Sequence, residues 1–422
     1  MRDEAYPGGS EERFPGPLGW PSDRQTHRRY RSPPVNRERA ILPSILMIVF
    51  VDTLGYAAVV PLIPLVLSGQ GAPLIAVGTV FAAFSLCQLL TAPLLGRLSD
   101  RVGRRPVLAL SLAGSVAGFA LLALSSAFPV VLLSRIIDGC SAGNVAMCYA
   151  AVLDSASEDK RRRGIPALGA AASAGIVSGL GLSAFLAGFG FRAVALAAML
   201  LSLMSLALTL VAVPETRHRA SNSVRVTAAL RIREVQRAAV FVALCAALQT
   251  AFLLTLPVYF SSALGLGVQA TTALFAVIVV VAAAFQVATL PRLLGWAGVT
   301  TTAGLVLLVA LCAAAFVGIL AGGAAALVVL SAAILTIAAA ALAPVSTLVL
   351  AESFPDASGG VAMGLNTSFS TAGQIAGPLI GYAAFASGGS QALGLTCVAL
   401  ALCSALTLGM RTWPKIERAP GR

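Results

Sequence analysis

Charge is what this chain has least of. Only 11% of its 422 residues are charged and 58% are hydrophobic, whereas soluble globular domains carry about 25% charged residues. A mean hydropathy of +0.89 leaves no polar coat for a water-facing surface. Composition alone therefore excludes a soluble enzyme, a nucleic-acid-binding domain and a disordered chain. Histidine is scarcer still. His27 and His218 both lie in polar segments, which excludes a His-based metal centre and leaves a membrane enzyme without a Ser/His or HExxH constellation. No GxxxxGK[ST] sequence is present, so no P-loop serves ATP hydrolysis. All 7 cysteines (Cys87, Cys140, Cys148, Cys245, Cys312, Cys397 and Cys403) fall in apolar runs without a CxxC pair. They read as small buried hydrophobes rather than disulfides or ligands. No metal and no cofactor is expected.

What is present is a series of twelve apolar runs: 41–67, 74–95, 106–126, 129–153, 165–187, 192–213, 238–262, 269–290, 299–320, 324–350, 360–386 and 391–410. Each has the ~20 residues a helix needs to cross ~30 Å of hydrocarbon. They lack the alternation of a membrane barrel, so helices are the expected spans. The fold class is all-α, with the lipid bilayer as solvent. Residues 1–40 form a Pro-, Gly- and charge-rich tail expected to be disordered, with no signal-peptide pattern before the first run.

The net charge of +12 reads as orientation, not as a nucleic-acid footprint. Of the 29 Lys and Arg, 27 fall in the two tails and in alternate loops, leaving Arg192 on the other side and Arg135 inside a run. Basic residues stay on the cytoplasmic side. Both termini and the loop 214–237 are therefore expected there, in a multi-pass protein of the cell membrane. The 27 Arg against two Lys point to a GC-rich bacterial host.

The loop 214–237 divides the runs into an N-terminal half, 41–213, and a C-terminal half, 238–410, followed by a tail, 411–422. A repeat supports the division. Gln88, Thr91 and Pro93 recur as Gln286, Thr289 and Pro291, 198 residues on. The same offset carries Asp154-Ser155 to Glu352-Ser353, Gly175 to Gly373 and Gly179 to Gly377. Two parallel six-helix halves are a known transporter construction.

Three charges stand inside apolar runs. Asp52 lies about 17 Å along the first run, near mid-membrane. An ionised acid at that depth costs about 2.5–3.5 kcal/mol, so it must face a cavity, find a partner or take up a proton. A purely structural hydrogen-bonding role stays open beside a coupling role. Arg135 and Asp138 share one face of the fourth run. They form either a self-neutralising pair or an arrangement in which Arg135 tunes a titrating acid, Asp52 or its rival Asp138. The second half has no acid within its runs. Among the uncharged polar residues, Tyr56, Gln88, Asn144, Gln249, Gln286 and Asn366 are the candidates for a substrate cavity. Interhelical hydrogen bonding is the alternative for each.

Residues 96–108, GRLSDRVGRRPVL, form a very short basic turn between the second and third runs. Gly96 is expected to let helices approach, and Gly103 to take the left-handed backbone of a tight reversal. This segment closely resembles motif A of the major facilitator superfamily at Gly96, Asp100, Arg101, Gly103, Arg104 and Arg105. Residues 51–64, VDTLGYAAVVPLIP, resemble the helix-1 motif of its twelve-helix drug:proton antiporters. SRIIDGCSAG, 134–143, resembles motif B, with Arg135, Gly139 and Gly143, and Pro214-Glu215-Thr216 is another frequent family feature. Gly175 and Gly179 fit the exporters' motif C, but Leu180 stands in place of its proline and Ser183 in place of a glycine. The pattern is better kept at Gly364, Gly373, Gly377-Pro378 and Gly381.

The resemblance implies twelve transmembrane helices in two pseudo-symmetric halves. It also implies alternating-access export of a small, largely apolar organic compound, a drug or secondary metabolite, in exchange for protons. The turn around Asp100 would serve the conformational switch, and the chain would act as a monomer. An importer or facilitator of a metabolite such as a sugar or organic acid is the alternative, favoured by Leu180.

Overall fold

The computed structural model describes residues 35–155, 158–213, 232–288, 325–352 and 359–409. The expected run 299–320, both tails, Pro214-Glu215-Thr216 and nearly all of the central loop lie outside the described residues. Every other run forms a helix. In chain order the helices are α1 (Val35–Val59), α2 (Leu62–Gly69), α3 (Leu74–Val102), α4 (Arg104–Leu124), α5 (Phe128–Ser141) and α6 (Asn144–Ser155). They continue with α7 (Glu158–Leu186), α8 (Phe191–Ala212), α9 (Arg233–Leu264), α10 (Val268–Ala288), α11 (Ala325–Glu352) and α12 (Gly359–Gly409).

Four runs differ from single rods. The first breaks between α1 and α2 at Pro61, which has no N–H to continue the helical ladder. The fourth breaks at Ala142–Gly143, between α5 and α6. The last two runs are joined end to end in α12, with non-helical backbone at Gly388 (φ −158°) and Gly389 (φ 60°).

Helices in lipid gain little from hydrophobic burial against one another, so close packing holds them together. α7 lies on α1, and α12 lies on α9. The two pairs share one contact. A Cβ on Gly175 would stand 2.5 Å from the Phe50 carbonyl oxygen and 3.2 Å from the Leu54 nitrogen, and would strike the Thr53 hydroxyl. A Cβ on Gly377 would stand 2.5 Å from the Ala247 oxygen and 3.0 Å from the Ala251 nitrogen, and would strike the Thr250 hydroxyl. Gly179 against the Leu54 carbonyl matches Gly381 against the Ala251 carbonyl in the same way. The halves therefore correspond through Gly175–Gly377 and Gly179–Gly381. This corrects the sequence offset, which paired Gly175 with Gly373 and Gly179 with Gly377. Glycines four apart map onto themselves when a helix slides by one turn, so spacing cannot fix the register, whereas the opposing Thr can.

The halves meet at the ends remote from the basic loops. A Cβ on Gly78, near the start of α3, would lie 2.9 Å from the Pro378 oxygen of α12. Gly188, just beyond α7, faces Gln269 of α10. Leu62, Ile63, Leu65 and Leu67 of α2 share a buried cluster with Val258 of α9.

Candidate functional site

A cavity of about 700 Å³ lies between the halves. Its wall includes Asp52, Tyr56, Gln88, Ser115, Asp138 and Asn144 from the first half and Gly364, Thr367 and Gln374 from α12. It extends to Ile165 near the basic end of α7 and to Gly364 near that of α12. Aromatic rings shape its middle, with Tyr56 and Phe84 stacked at a tilt, 5.5 Å between centroids.

Of the three intramembrane charges, Asp52 and Asp138 line this wall and Arg135 is buried behind Asp138, so the three do not pair as a triad. Arg135 is 1% exposed. Its Nη1 lies 3.0 Å from Asp138 Oδ2, and its guanidinium sits 5.3 Å from the centroid of the Phe119 ring. Asp138 also accepts from the Ser115 hydroxyl. Asp52 instead accepts a 3.0 Å hydrogen bond from Asn144 Nδ2. The cation thus goes to Asp138, three residues along its own helix, and Asp52 keeps a neutral partner. Arg135 as the direct modulator of Asp52 is not the arrangement seen, because helical adjacency brings Asp138 to the guanidinium first.

The break in the fourth run brings Asn144 to Asp52. Ending α5 at Ser141 frees carbonyls from the helical ladder, and they need other donors. Ser111 donates to the Ser141 oxygen, Thr91 to the Gly139 oxygen at 3.4 Å and Gln88 to the Ala142 oxygen at 3.5 Å. Sequence reasoning missed this break. Its signal was Gly143 followed by Asn144, a helix stop directly before a helix-start residue inside an apolar run.

The other candidates divide. Tyr56, Gln88 and Asn144 line the cavity, but Gln249, Gln286 and Asn366 do not. All three are half-buried. Gly139 meets α3, where a Cβ would stand 2.5 Å from the Phe84 oxygen. Gly143 lines the cavity beside Leu95 and Met147. Gly373 packs on Ala243 and Ala246 of α9, and Pro378 sits within α12 opposite Gly78.

The segment 96–108 is tighter than a loop. Residues 96–102 complete α3 and 104–108 begin α4, so that Gly103 alone turns the chain, at φ 116°. Asp100 pairs with Arg104 at 2.8 Å, Arg104 also donates to Ser99 at 3.0 Å, and Arg105 donates to the Leu210 carbonyl at the end of α8. Arg101 is exposed. Gly96 is the exception to expectation. Among the described residues nothing lies within 4 Å of a Cβ placed there, so no close helix approach is made at this glycine.

Known proteins agree with this architecture. The profile of the Major Facilitator Superfamily matches residues 45–331. A Bos taurus protein, Major facilitator superfamily domain-containing protein 10, is 47% identical over 109 residues, which is 26% of this chain and 24% of that protein. The class G tetracycline resistance protein of Vibrio anguillarum is 32% identical over 177 residues, 41% of this chain and 45% of that one. The matches thus span less than half the length of these relatives. The crystal structure of the human organic anion transporter MFSD10 (TETRAN) superposes with a TM-score of 0.66 at 24% identity, covering 89% of this chain and 100% of that one. The nucleoside transporter NupG superposes with a TM-score of 0.70 at 14% identity, covering 88% of this chain and 99% of that one. At these identities the structural likeness is one of fold. The chain belongs to the major facilitator superfamily and is a multi-pass membrane protein.

Proposed function

We propose that this transporter exports a small, largely apolar organic compound, a drug or secondary metabolite, across a bacterial cytoplasmic membrane in exchange for protons. It works as a monomer with both termini cytoplasmic, and nucleic acid has no part in its work. The observation that carries this reading is Asp52, an acid inside the membrane that lines the cavity and has a neutral amide as its partner. Such a carboxylate can release a proton on one side and take one up on the other as access alternates. The remaining wall is mostly aromatic, aliphatic or uncharged, which suits an apolar guest. The cavity reaches toward the basic ends while the halves meet at the opposite ends, a conformation ready to load from the cytoplasm.

Resemblance to tetracycline resistance proteins makes tetracycline the first compound to try. In proteoliposomes, an imposed pH gradient drives its accumulation by the wild type. Asp52→Asn abolishes accumulation while downhill exchange continues. Accumulation by Asp52→Asn with its loss in Asp138→Asn transfers the role to α5. Accumulation by both variants removes proton coupling through these helices. A facilitator or importer of a metabolite is then the better reading, and Leu180 in place of the exporters' proline favours it.

A further inference from the structure

Asn144 opens α6 at the break in the fourth run, and only half of its amide is accounted for. It is 7% exposed. Its Nδ2 donates to Asp52. Its Oδ1 is buried with no donor among the described residues. A buried acceptor with no partner is unfavourable, and such an atom in a native fold calls for ordered water or an ion. Next to it, the Ala142 carbonyl belongs to the broken backbone and accepts only a long contact from Gln88, 3.5 Å. Ala142, Asn144 and Asp52 all line the cavity, so the group is reachable.

The chemistry of these atoms is narrow. All are hard oxygens, a carboxylate, an amide and a backbone carbonyl, which suit alkali and alkaline-earth cations rather than zinc or copper. The charge is narrow too. Arg135 neutralises Asp138 at 3.0 Å, which leaves the single charge of Asp52. One negative charge in a low-dielectric wall matches a monovalent ion; a divalent ion would leave an excess positive charge. Unwound helix carbonyls at mid-membrane are a recurring means of holding sodium in transporters.

We propose that Asp52, the Asn144 side-chain oxygen and the Ala142 carbonyl form a sodium site at the break between α5 and α6. Sodium exchanges the Asn144–Asp52 hydrogen bond for two oxygen contacts to one ion, with the amide turning its oxygen inward. The ion competes with a proton for Asp52, so this transporter accepts either as its coupling cation. The inference rests on Asp52 as the coupling group and adds a second ion to it.

Binding of radioactive sodium to the purified full-length chain tests the site, in choline chloride of constant ionic strength at alkaline pH. The expected result is saturable binding that is lost in Asp52→Asn. Binding weakens by about tenfold or more in Asn144→Ala, the loss typical of an impaired metal shell. It returns in Asn144→Asp, which keeps an oxygen in place and guards against a mere folding defect. Absence of saturable binding, or binding indifferent to Asn144→Ala, overturns the proposal. Transport driven by a pH gradient in sodium-free proteoliposomes separates the two readings. If it persists while sodium fails to bind, the sodium site falls and the proton-coupled exporter stands. If sodium binds and a pH gradient drives nothing, the site stands and proton coupling falls.

Discussion

Leu180 and Tyr382 trade places across the two halves. Leu180 is a residue of α7, yet it is buried in the hydrophobic cluster built by α9, α10, α11 and α12. Tyr382 is a residue of α12, fully buried in a cluster built mainly by α1 to α5 and α8 of the first half. They are separated by the same 202 residues as Gly175 and Gly377, so the pseudo-symmetry relates them. Each half therefore sends one large side chain into the other, from the residue directly after Gly179 where α7 meets α1 and directly after Gly381 where α12 meets α9. Tyr382 is anchored by its hydroxyl, which donates to the Leu254 carbonyl at 2.5 Å.

This exchange closes the end remote from the basic loops. Leu180→Ala and Tyr382→Ala each remove a side chain that bridges the halves and should loosen that end. In a background with the native cysteines replaced, a cysteine at Gln269, opposite Gly188, should react several-fold faster with an impermeant maleimide added outside. Unchanged labelling in both variants would show that these residues do not hold the closed end.

The glycine seams set a steric limit. Gly175→Val and Gly377→Val drive side-chain atoms into the backbone of the facing helix. Each should cost about 1–3 kcal/mol or more, as overpacking does. Gly181 lies on the same helix as Gly175 with nothing, among the described residues, within 4 Å of a Cβ. Gly181→Val is the control and should leave thermal unfolding in detergent nearly unchanged. Equal losses at residues 175 and 181 would count against close packing as the cause.

Arg135 depends on Asp138. Asp138→Asn leaves a guanidinium buried beside a neutral amide, and breaking a buried pair by removing one partner costs about 3–5 kcal/mol. Replacing both residues with Leu should recover much of that loss, since no charge then remains buried. Melting temperatures of the two variants in detergent check the order. A single variant as stable as the wild type would refute it.

Asp100 should matter to movement more than to stability or binding. Its pair with Arg104 is partly exposed, and such pairs contribute about 0–1 kcal/mol. Asp100→Ala should therefore fold normally and bind substrate within a few-fold of wild type, while transport turnover falls severely. Lost affinity at normal turnover would assign the residue to binding instead.

The sequence was most legible where one-dimensional rules apply. Run length, hydropathy and the placement of Arg set the spans, because crossing lipid requires an unbroken helix of fixed length. The turn at Gly103 was legible as well, because few residues tolerate its φ of 116°. The cavity was legible only in part. Tyr56, Gln88 and Asn144 face it, whereas Gln249, Gln286 and Asn366 do not, since a polar residue in an apolar run serves helix packing as readily as a cavity.

By itself, then, the sequence determined a helical membrane chain, its two-half plan, its buried charges and the family its motifs resemble. Tertiary structure alone decided the partners. It gave Arg135 to Asp138 and Asn144 to Asp52, set Gly175 against Thr53 and Gly377 against Thr250, and left Gly96 without a close neighbour among the described residues. The physical reason is that depth follows from counting residues along one helix. Which face meets which depends on the rotation and register of several helices at once, and a motif of glycines four apart leaves that register free by a full turn.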